Sequence, residues 1–415
     1  METPLFTNDA VVLGILMAIL GFVFWSENSK HPFWVRFYKV VPALLVCYFL
    51  PSVMATLGII SGEESNLYFV ASRYLLPTSL VLLTLSIDFK GILGLGPKAL
   101  IMFFTGTVGI VLGGPFALLI VSSIAPDMIG GAGPTEVWRG MTTVAGSWIG
   151  GGANQTAMKE VFEVDDAIFS AMVAVDVIVA NVWMAVLLFA AGRSESIDAR
   201  TGADASAIVG LRESVEEYQA QIARMPKLAD TMKVLAIGFG ATAIAHACAD
   251  VLAPYLKANA PQLARFSLTS HFFWLAVVAT TLGMILATTK ARELEGVGAS
   301  RLGSAMLYVL IASIGMKMNI LAVFENPGFF LLGGIWMLVH ASLMILVAKL
   351  IKAPVFFMAV GSQANVGGAA SAPVVASAFH PSLAPVGVLL AVLGYAVGTY
   401  AAWFCGQLMR LVAGG

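Results

Sequence analysis

Residues 146–157 read GSWIGGGANQTA, and residues 361–372 read GSQANVGGAASA. Each stretch lies inside a long apolar run and combines adjacent glycines with Asn, Gln, Ser or Thr. A helix in lipid must satisfy its own backbone, because hydrocarbon offers no hydrogen bonds. Glycine in a helix interior costs about 1 kcal/mol relative to alanine. Gly150, Gly151 and Gly152, and again Gly367 and Gly368 with Pro373 beyond, therefore predict two spans interrupted near their middles.

The rest of the chain supports a membrane setting. Of 415 residues, 59% are hydrophobic and 11% charged, whereas soluble domains run nearer a quarter charged. A soluble protein this apolar lacks the polar surface to cover itself. A net charge of -1 presents no basic face for nucleic acid. Cys47, Cys248 and Cys405 all sit in apolar runs, with no disulfide framework and no metal spacing. The leader METPLFTND is short and acidic, so the first run is expected to be a retained span.

A hydrocarbon core needs about 20 apolar residues per helix. Twelve runs qualify, near 10–26, 40–60, 67–87, 97–123, 137–163, 166–191, 232–255, 271–289, 301–318, 327–349, 354–380 and 383–410. The expected fold is an all-α polytopic membrane protein with about 12 (11–13) transmembrane helices. The one substantial polar stretch falls in 192–231, between a first repeat at 1–191 and a second at 232–415. There Ile208, Leu211, Val215, Tyr218 and Ile222 recur at helical spacing, with Arg212 and Glu216 one turn apart, which predicts an amphipathic linker helix.

An internal duplication is visible. Residues 71–93 (ASRYLLPTSLVLLTLSIDFKGIL) echo 299–321 (ASRLGSAMLYVLIASIGMKMNIL), and each is followed by one long span and then by a glycine break. Loop charges swap sign between the copies. Glu63 and Glu64 precede the first echo, Lys290 and Arg292 the second; Asp127 and Glu136 precede the first break, Lys349 and Lys352 the second. By the positive-inside rule the copies are inverted, with Lys30, Arg36 and Lys39 in the cytoplasm. Counting contradicts this, because the breaks lie six spans apart and inversion needs an odd number. Either one span between 191 and 300 is miscounted or the copies are parallel; the charge swap favours the miscount.

Polar groups beside the breaks are candidate ligands: Ser147, Gly151, Gly152, Asn154, Gln155 and Thr156 in the first, Ser362, Gln363, Asn365, Gly367, Gly368 and Ser371 in the second. Unwinding frees backbone groups, so half-helix N-termini attract an anion and C-terminal carbonyls a cation. Small residues also serve close helix packing, and buried Asn or Gln can join helices; both readings stand at this point. Asp176 and Asn181 lie in the span after the first break, and His340 in the span before the second. An intramembrane acid is a functional candidate because burying a charge there costs at least about 2.5–3.5 kcal/mol. Asp176 is expected to bind Na+ or carry a proton, and His340 to compensate it or contact solute, unless both are structural. His246 and Asp250, one turn apart, are expected to pair with each other, and Tyr395, Thr399 and Tyr400 to face the second break.

The stretches GSWIGGGANQTAMKEVF (146–162), LLPTSLVLLTLSIDFK (75–90) and GSQANVGGAASAPVVAS (361–377) resemble the bacterial membrane family called domain of unknown function 819, the YjcL-like proteins. That family is grouped with sodium/proton antiporters and bile-acid:sodium symporters. The resemblance implies a core of crossed, discontinuous helices that moves against a panel by an elevator mechanism, in the bacterial cytoplasmic membrane and often as a homodimer. In the antiporters the helix after the first crossing carries paired acids; here Asp176 stands without an adjacent second acid. This departure favours neutral cation ligands such as Asn154, Gln155, Gln363 and Asn365. The lysine found before the second crossing in antiporters has His340 as its nearest match.

The function expected is secondary transport of a small polar or anionic organic solute, coupled to Na+ or H+, with lipid as the surrounding partner and no cofactor. A cation/proton antiporter is the alternative within transport. An intramembrane enzyme is disfavoured: the chain holds no HExxH motif, and Asp176 alone cannot make an aspartyl dyad. A scaffold would not need two polar, broken spans.

Overall fold

The computed structural model describes residues 4–38, 41–62, 64–203, 208, 226–317, 327–380 and 383–414. Except for Ile208, the expected amphipathic helix lies outside the described residues. Thirteen main helices are numbered here in chain order. They are α1 (Asp9–Glu27), α2 (Ala43–Thr56), α3 (Leu67–Leu85), α4 (Pro97–Ile124), α5 (Val137–Val161), α6 (Asp166–Ala191) and α7 (Leu228–Asn259), followed by α8 (His271–Ala287), α9 (Ala299–Gly315), α10 (Gly328–Leu350), α11 (Val355–Val366), α12 (Gly368–Phe379) and α13 (Ala384–Val412). Among the described residues the β-structure is one isolated bridge between Phe6 and Ile60.

Among the described residues seven helices (α1, α3, α4, α6, α7, α10 and α13) are long and apolar enough to cross a bilayer, or up to nine if two bent pairs each count as one span. Those pairs coincide with the expected runs 40–60 and 271–289. The run 301–318 falls in a shorter helix of 17 residues, and the runs 137–163 and 354–380 are broken where their glycines interrupt the backbone. Local chemistry sets the ends. Asn8 caps α1 by accepting from the Ala10 and Val11 amides, and Asp165 caps α6 by accepting from Ala167 and Ile168.

The two glycine breaks do not make crossed, spanning helices. Each is the tip of a helical hairpin that returns to the face it entered from. In α5, Gly151 has φ 72° and ψ −174°, a region essentially reserved for glycine. Beyond it the chain runs back: Arg139 Nη1 donates to the Phe162 carbonyl at 2.8 Å, and the Trp138 and Phe162 rings lie 5.8 Å apart. A continuous helix would hold these residues about 35 Å apart. In the second copy α11 and α12 turn at Gly367 and Gly368 (φ 59°), which brings Phe356 to 5.3 Å from Phe379 and Gln363 Nε2 to 2.7 Å from Ser371 Oγ.

This geometry removes the counting conflict. The overcounted spans are the two breaks, 137–163 and 354–380, not one between 191 and 300; with 137–163 no longer a crossing, an odd number of spans separates the hairpins. The echoed segments α3 and α9 run antiparallel: Lys317, just after α9, stacks on Tyr68 at the start of α3, whereas Ser86 at the end of α3 and Ser300 at the start of α9 line one cavity. The two echoed segments therefore lie inverted in space. The α5 hairpin enters from the face of Tyr68, Glu160 and Lys317 (face A). The α11–α12 hairpin enters from the face of Asp88, Arg292 and Lys352 (face B).

Packing divides the helices into two groups. Helices α4, α6, α10 and α13 pack around the two hairpins, α5 and α11–α12, while α1–α3 and α7–α9 pack mainly with one another. The groups meet where α8 touches α5 and α13, and where α3 touches the same two helices. Pro77 shapes α3. Without an N–H it cannot bond the Arg73 carbonyl, the helix widens into a π turn over Ala71–Leu75, and His246 Nε2 takes that carbonyl at 2.8 Å. His246 thus does not pair with Asp250, which instead meets His271 at 2.8 Å.

Candidate functional site

The hairpin tips meet: a Cβ built on Gly368 would lie 3.9 Å from Gly151 Cα. Close packing brings them together. Gly394 and Gly398 on α13 press backbone to backbone on the first tip, with a Cβ on Gly394 falling 2.6 Å from the Ile149 carbonyl and one on Gly398 2.6 Å from Gly150 Cα. This small-xxx-small spacing is a packing signal legible in sequence.

A cavity of about 390 Å³ lies against the tips. Its walls include Ser147, Gly151 and Gly152 from α5, Gln363 and Gly367 from the second hairpin, Asp176 and Asn181 from α6, and Tyr395 from α13. Ser304, Leu307, Tyr308 and Ile311 of α9 close it from the other helix group. These α9 residues were not among the sequence candidates; they become visible only once α9 is placed opposite the tips.

Asp176 is 3% exposed and accepts from Gln155 Nε2 at 2.8 Å. Gln155 is itself oriented by Tyr48, whose hydroxyl donates to its Oε1 at 3.4 Å. The amide NH2 therefore faces the carboxyl. In the second hairpin Gln363 is 1% exposed; its Nε2 donates to Ser371, and its Oε1 is buried with no hydrogen-bond partner. A buried acceptor left unmatched costs about 1–3 kcal/mol, so an occupant that donates to it is stabilised there.

Other sequence candidates lie behind the cavity wall. Asn154 and Asn365 do matching work. Asn154 donates to its own Gly150 carbonyl at 3.0 Å and to the Tyr395 carbonyl at 3.2 Å, and accepts from Thr399 at 2.6 Å. Asn365 donates to the Gly361 and Phe103 carbonyls at 3.0 and 2.9 Å and accepts from Thr107 at 2.8 Å. In each case the threonine follows the carbonyl residue by one turn, so each asparagine rivets a hairpin leg to a long helix. Thr156 donates to the Gly152 carbonyl. Ser362 accepts from Trp183 at 2.8 Å and meets His340 Nε2 at 2.7 Å, while His340 Nδ1 faces the Gly106 carbonyl. His340 and Asp176 do not converge. Thr399 faces the first hairpin rather than the second, and Tyr400 bonds Thr281 on α8.

A rivet carries a stability prediction. Thr399→Val keeps the shape and leaves Asn154 Oδ1 without its donor, which costs about 1–3 kcal/mol. The expected result is a lower midpoint in thermal unfolding of the detergent-purified protein; an unchanged midpoint would mean that this bond contributes nothing to the hairpin's seat.

No group of His, Cys, Asp and Glu that could hold a metal ion occurs among the described residues. Compared with known proteins, residues 14–412 match the family described as protein of unknown function (DUF819). The chain is also similar to the uncharacterized membrane protein YjcL of Bacillus subtilis (strain 168), with 25% identity over 364 residues that cover 83% of this chain and 84% of that protein. Both hairpins, Asp176 and the α9 wall fall inside the matched range, and this multi-pass membrane protein belongs to the DUF819 family.

Proposed function

We propose that the protein is a secondary active transporter of a small polar organic solute, coupled to Na+ or H+, in a bacterial cytoplasmic membrane. The observation that carries this reading is a cavity of solute size at two touching hairpin tips, with a buried carboxyl and an unmatched amide oxygen in its walls. Broken helices in inverted repeats supply such sites at mid-membrane. A kinship with sodium/proton antiporters and bile-acid:sodium symporters is part of this proposal, as is a role in transport rather than catalysis.

The mechanism proposed is a movement of the hairpin-bearing group (α4–α6, α10–α13) against α1–α3 and α7–α9, which would also form any homodimer contact. Asymmetry between the two faces supports it. On face A charges bridge the groups. Arg73 pairs with Glu160 at 2.6 Å, Tyr68 also bonds Glu160, and Lys317 approaches Asp166 at 3.9 Å. The vestibule there, about 800 Å³, shares no lining residue with the central cavity. Toward face B a cavity of about 230 Å³ shares Ser304, Ala369 and Tyr395 with the central one. Solute access in this conformation runs to face B, and the Arg73–Glu160 cluster latches face A.

Latch release is testable. In a chain stripped of Cys47, Cys248 and Cys405 and carrying Ser371→Cys, addition of Glu160→Gln should speed labelling by an impermeant maleimide applied at face A by several-fold. An unchanged rate would sink the alternating-access reading. Transport itself is tested by solute flux into proteoliposomes with and without a Na+ or pH gradient; no flux under any gradient would remove the proposal.

The solute's charge is set by two opposing features. The half-helix N-termini at Gly152 and Gly368 favour an anionic group by about 0.3–2 kcal/mol. Asp176 favours a cationic one, and the coupling measured between close opposite charges across interfaces is about 1.5–7 kcal/mol.

A further inference from the structure

The central cavity has a one-sided chemistry. Asp176 is its acidic residue, and no lysine, arginine or histidine lines it among the described residues. The buried base expected from sequence, His340, is turned away onto Gly106 and Ser362. Three buried side-chain atoms lack a hydrogen-bond partner among the described residues, Asp88 Oδ1, Trp148 Nε1 and Gln363 Oε1, and of these residues Gln363 alone lines the cavity; its oxygen is an acceptor and asks for a donor. Tyr308 and Tyr395 bring two aromatic side chains to the same space, and aromatic faces attract cations.

Resting on the transporter reading, we propose that the solute presents a protonated nitrogen, as an organic ammonium or guanidinium group, to Asp176 and Gln363. A bare anion would enter beside a carboxyl with no basic side chain to compensate it. A protonated nitrogen supplies both missing partners at once: a charge for the carboxylate and an N–H for the amide oxygen. A carboxylate elsewhere on the solute is compatible, because the half-helix N-termini at the tips can receive it. The size and walls of the cavity favour an organic cation over a bare metal ion. Leu307, Ile311, Met184 and Val366 offer apolar surface, from which an inorganic ion gains nothing and carbon atoms gain their usual burial energy. Since Asp176 would be the shared partner of solute and proton, the two would compete for it, which is the requirement for exchange at a single site.

The test is thermal unfolding of the purified full chain at fixed Na+ and pH, with a matched panel of putrescine, ethanolamine, agmatine and glycine against succinate and citrate. At least one nitrogen cation should raise the midpoint while the two carboxylates do not. Gln363→Leu should weaken the effective probe about tenfold, and Asp176→Asn should abolish its effect. Stabilisation by succinate or citrate but by no amine overturns the assignment, and so does stabilisation by neither class. Flux in proteoliposomes separates the two failures. Carboxylate flux would leave the transporter reading standing without the ammonium group, and absence of any flux would remove both.

Discussion

Replacing Gly151 by alanine is expected to collapse the site while leaving the outer helices assembled. The residue sits at φ 72° and ψ −174°, a conformation that costs side-chain-bearing residues about 1–3 kcal/mol or more. The added methyl would also lie 3.2 Å from the Tyr395 ring, tighter than ordinary contact. Relief requires the tip to move, and the tip touches Gly368 of the opposite hairpin. The variant should therefore unfold at a lower temperature and lose its response to any solute that stabilises the parent. Gly21→Ala on α1 is the control: nothing lies within 4 Å of the added carbon and the backbone is helical, so its stability should equal or slightly exceed that of the parent. If Gly151→Ala behaves like Gly21→Ala, the tip is not the constrained element described above.

The second large effect is expected from Asp176→Asn. The substitution is nearly isosteric, and the asparagine carbonyl can still accept from Gln155 Nε2, now at 2.8 Å from the carboxylate. Removing a buried charge relieves a desolvation penalty, so the midpoint without solute should match or exceed that of the parent. Binding should behave oppositely. Loss of a close charge partner costs about 2–5 kcal/mol, which is roughly 30-fold or more in affinity. Titration calorimetry with the best amine of the panel measures this directly, and flux measurements should fall in parallel. Retention of both solute binding and Na+ or pH response in the variant would remove Asp176 from the site.

Much of this architecture is legible in sequence for definite reasons. Gly151 and Gly368 announce themselves because an interrupted backbone in lipid must be paid for by structure around it. Asp176 stands out because an acid in an apolar run is costly. Even the hairpins left a trace: the sign-swapped loops and the even span count disagree, and that disagreement is what a hairpin miscounted as a crossing produces. The run 137–163 is not one traversal. Its legs, Val137–Gly150 and Gly152–Val161, are about 20 and 15 Å long, each too short for a core of about 30 Å. His246 and Asp250 show the opposite limit, since their spacing suggests a pair, yet a carbonyl released by Pro77 and a histidine from α8 claim them separately.

What the sequence determined by itself is local: apolar runs that demand lipid, glycine clusters that interrupt them, an acid that must find partners, and a repeat whose loop charges invert. Those properties follow from residue type and spacing, which act over one turn or one span. The tertiary structure alone decided which polar groups are satisfied by one another and which remain available. Asn154, Asn365 and His340 look as polar as Gln363 in the sequence, but neighbouring helices supply partners to the first three and leave Oε1 of the last without one. Hydrogen-bond matching is a property of surroundings, so it emerges only when α4, α9 and α13 are set against the two hairpins.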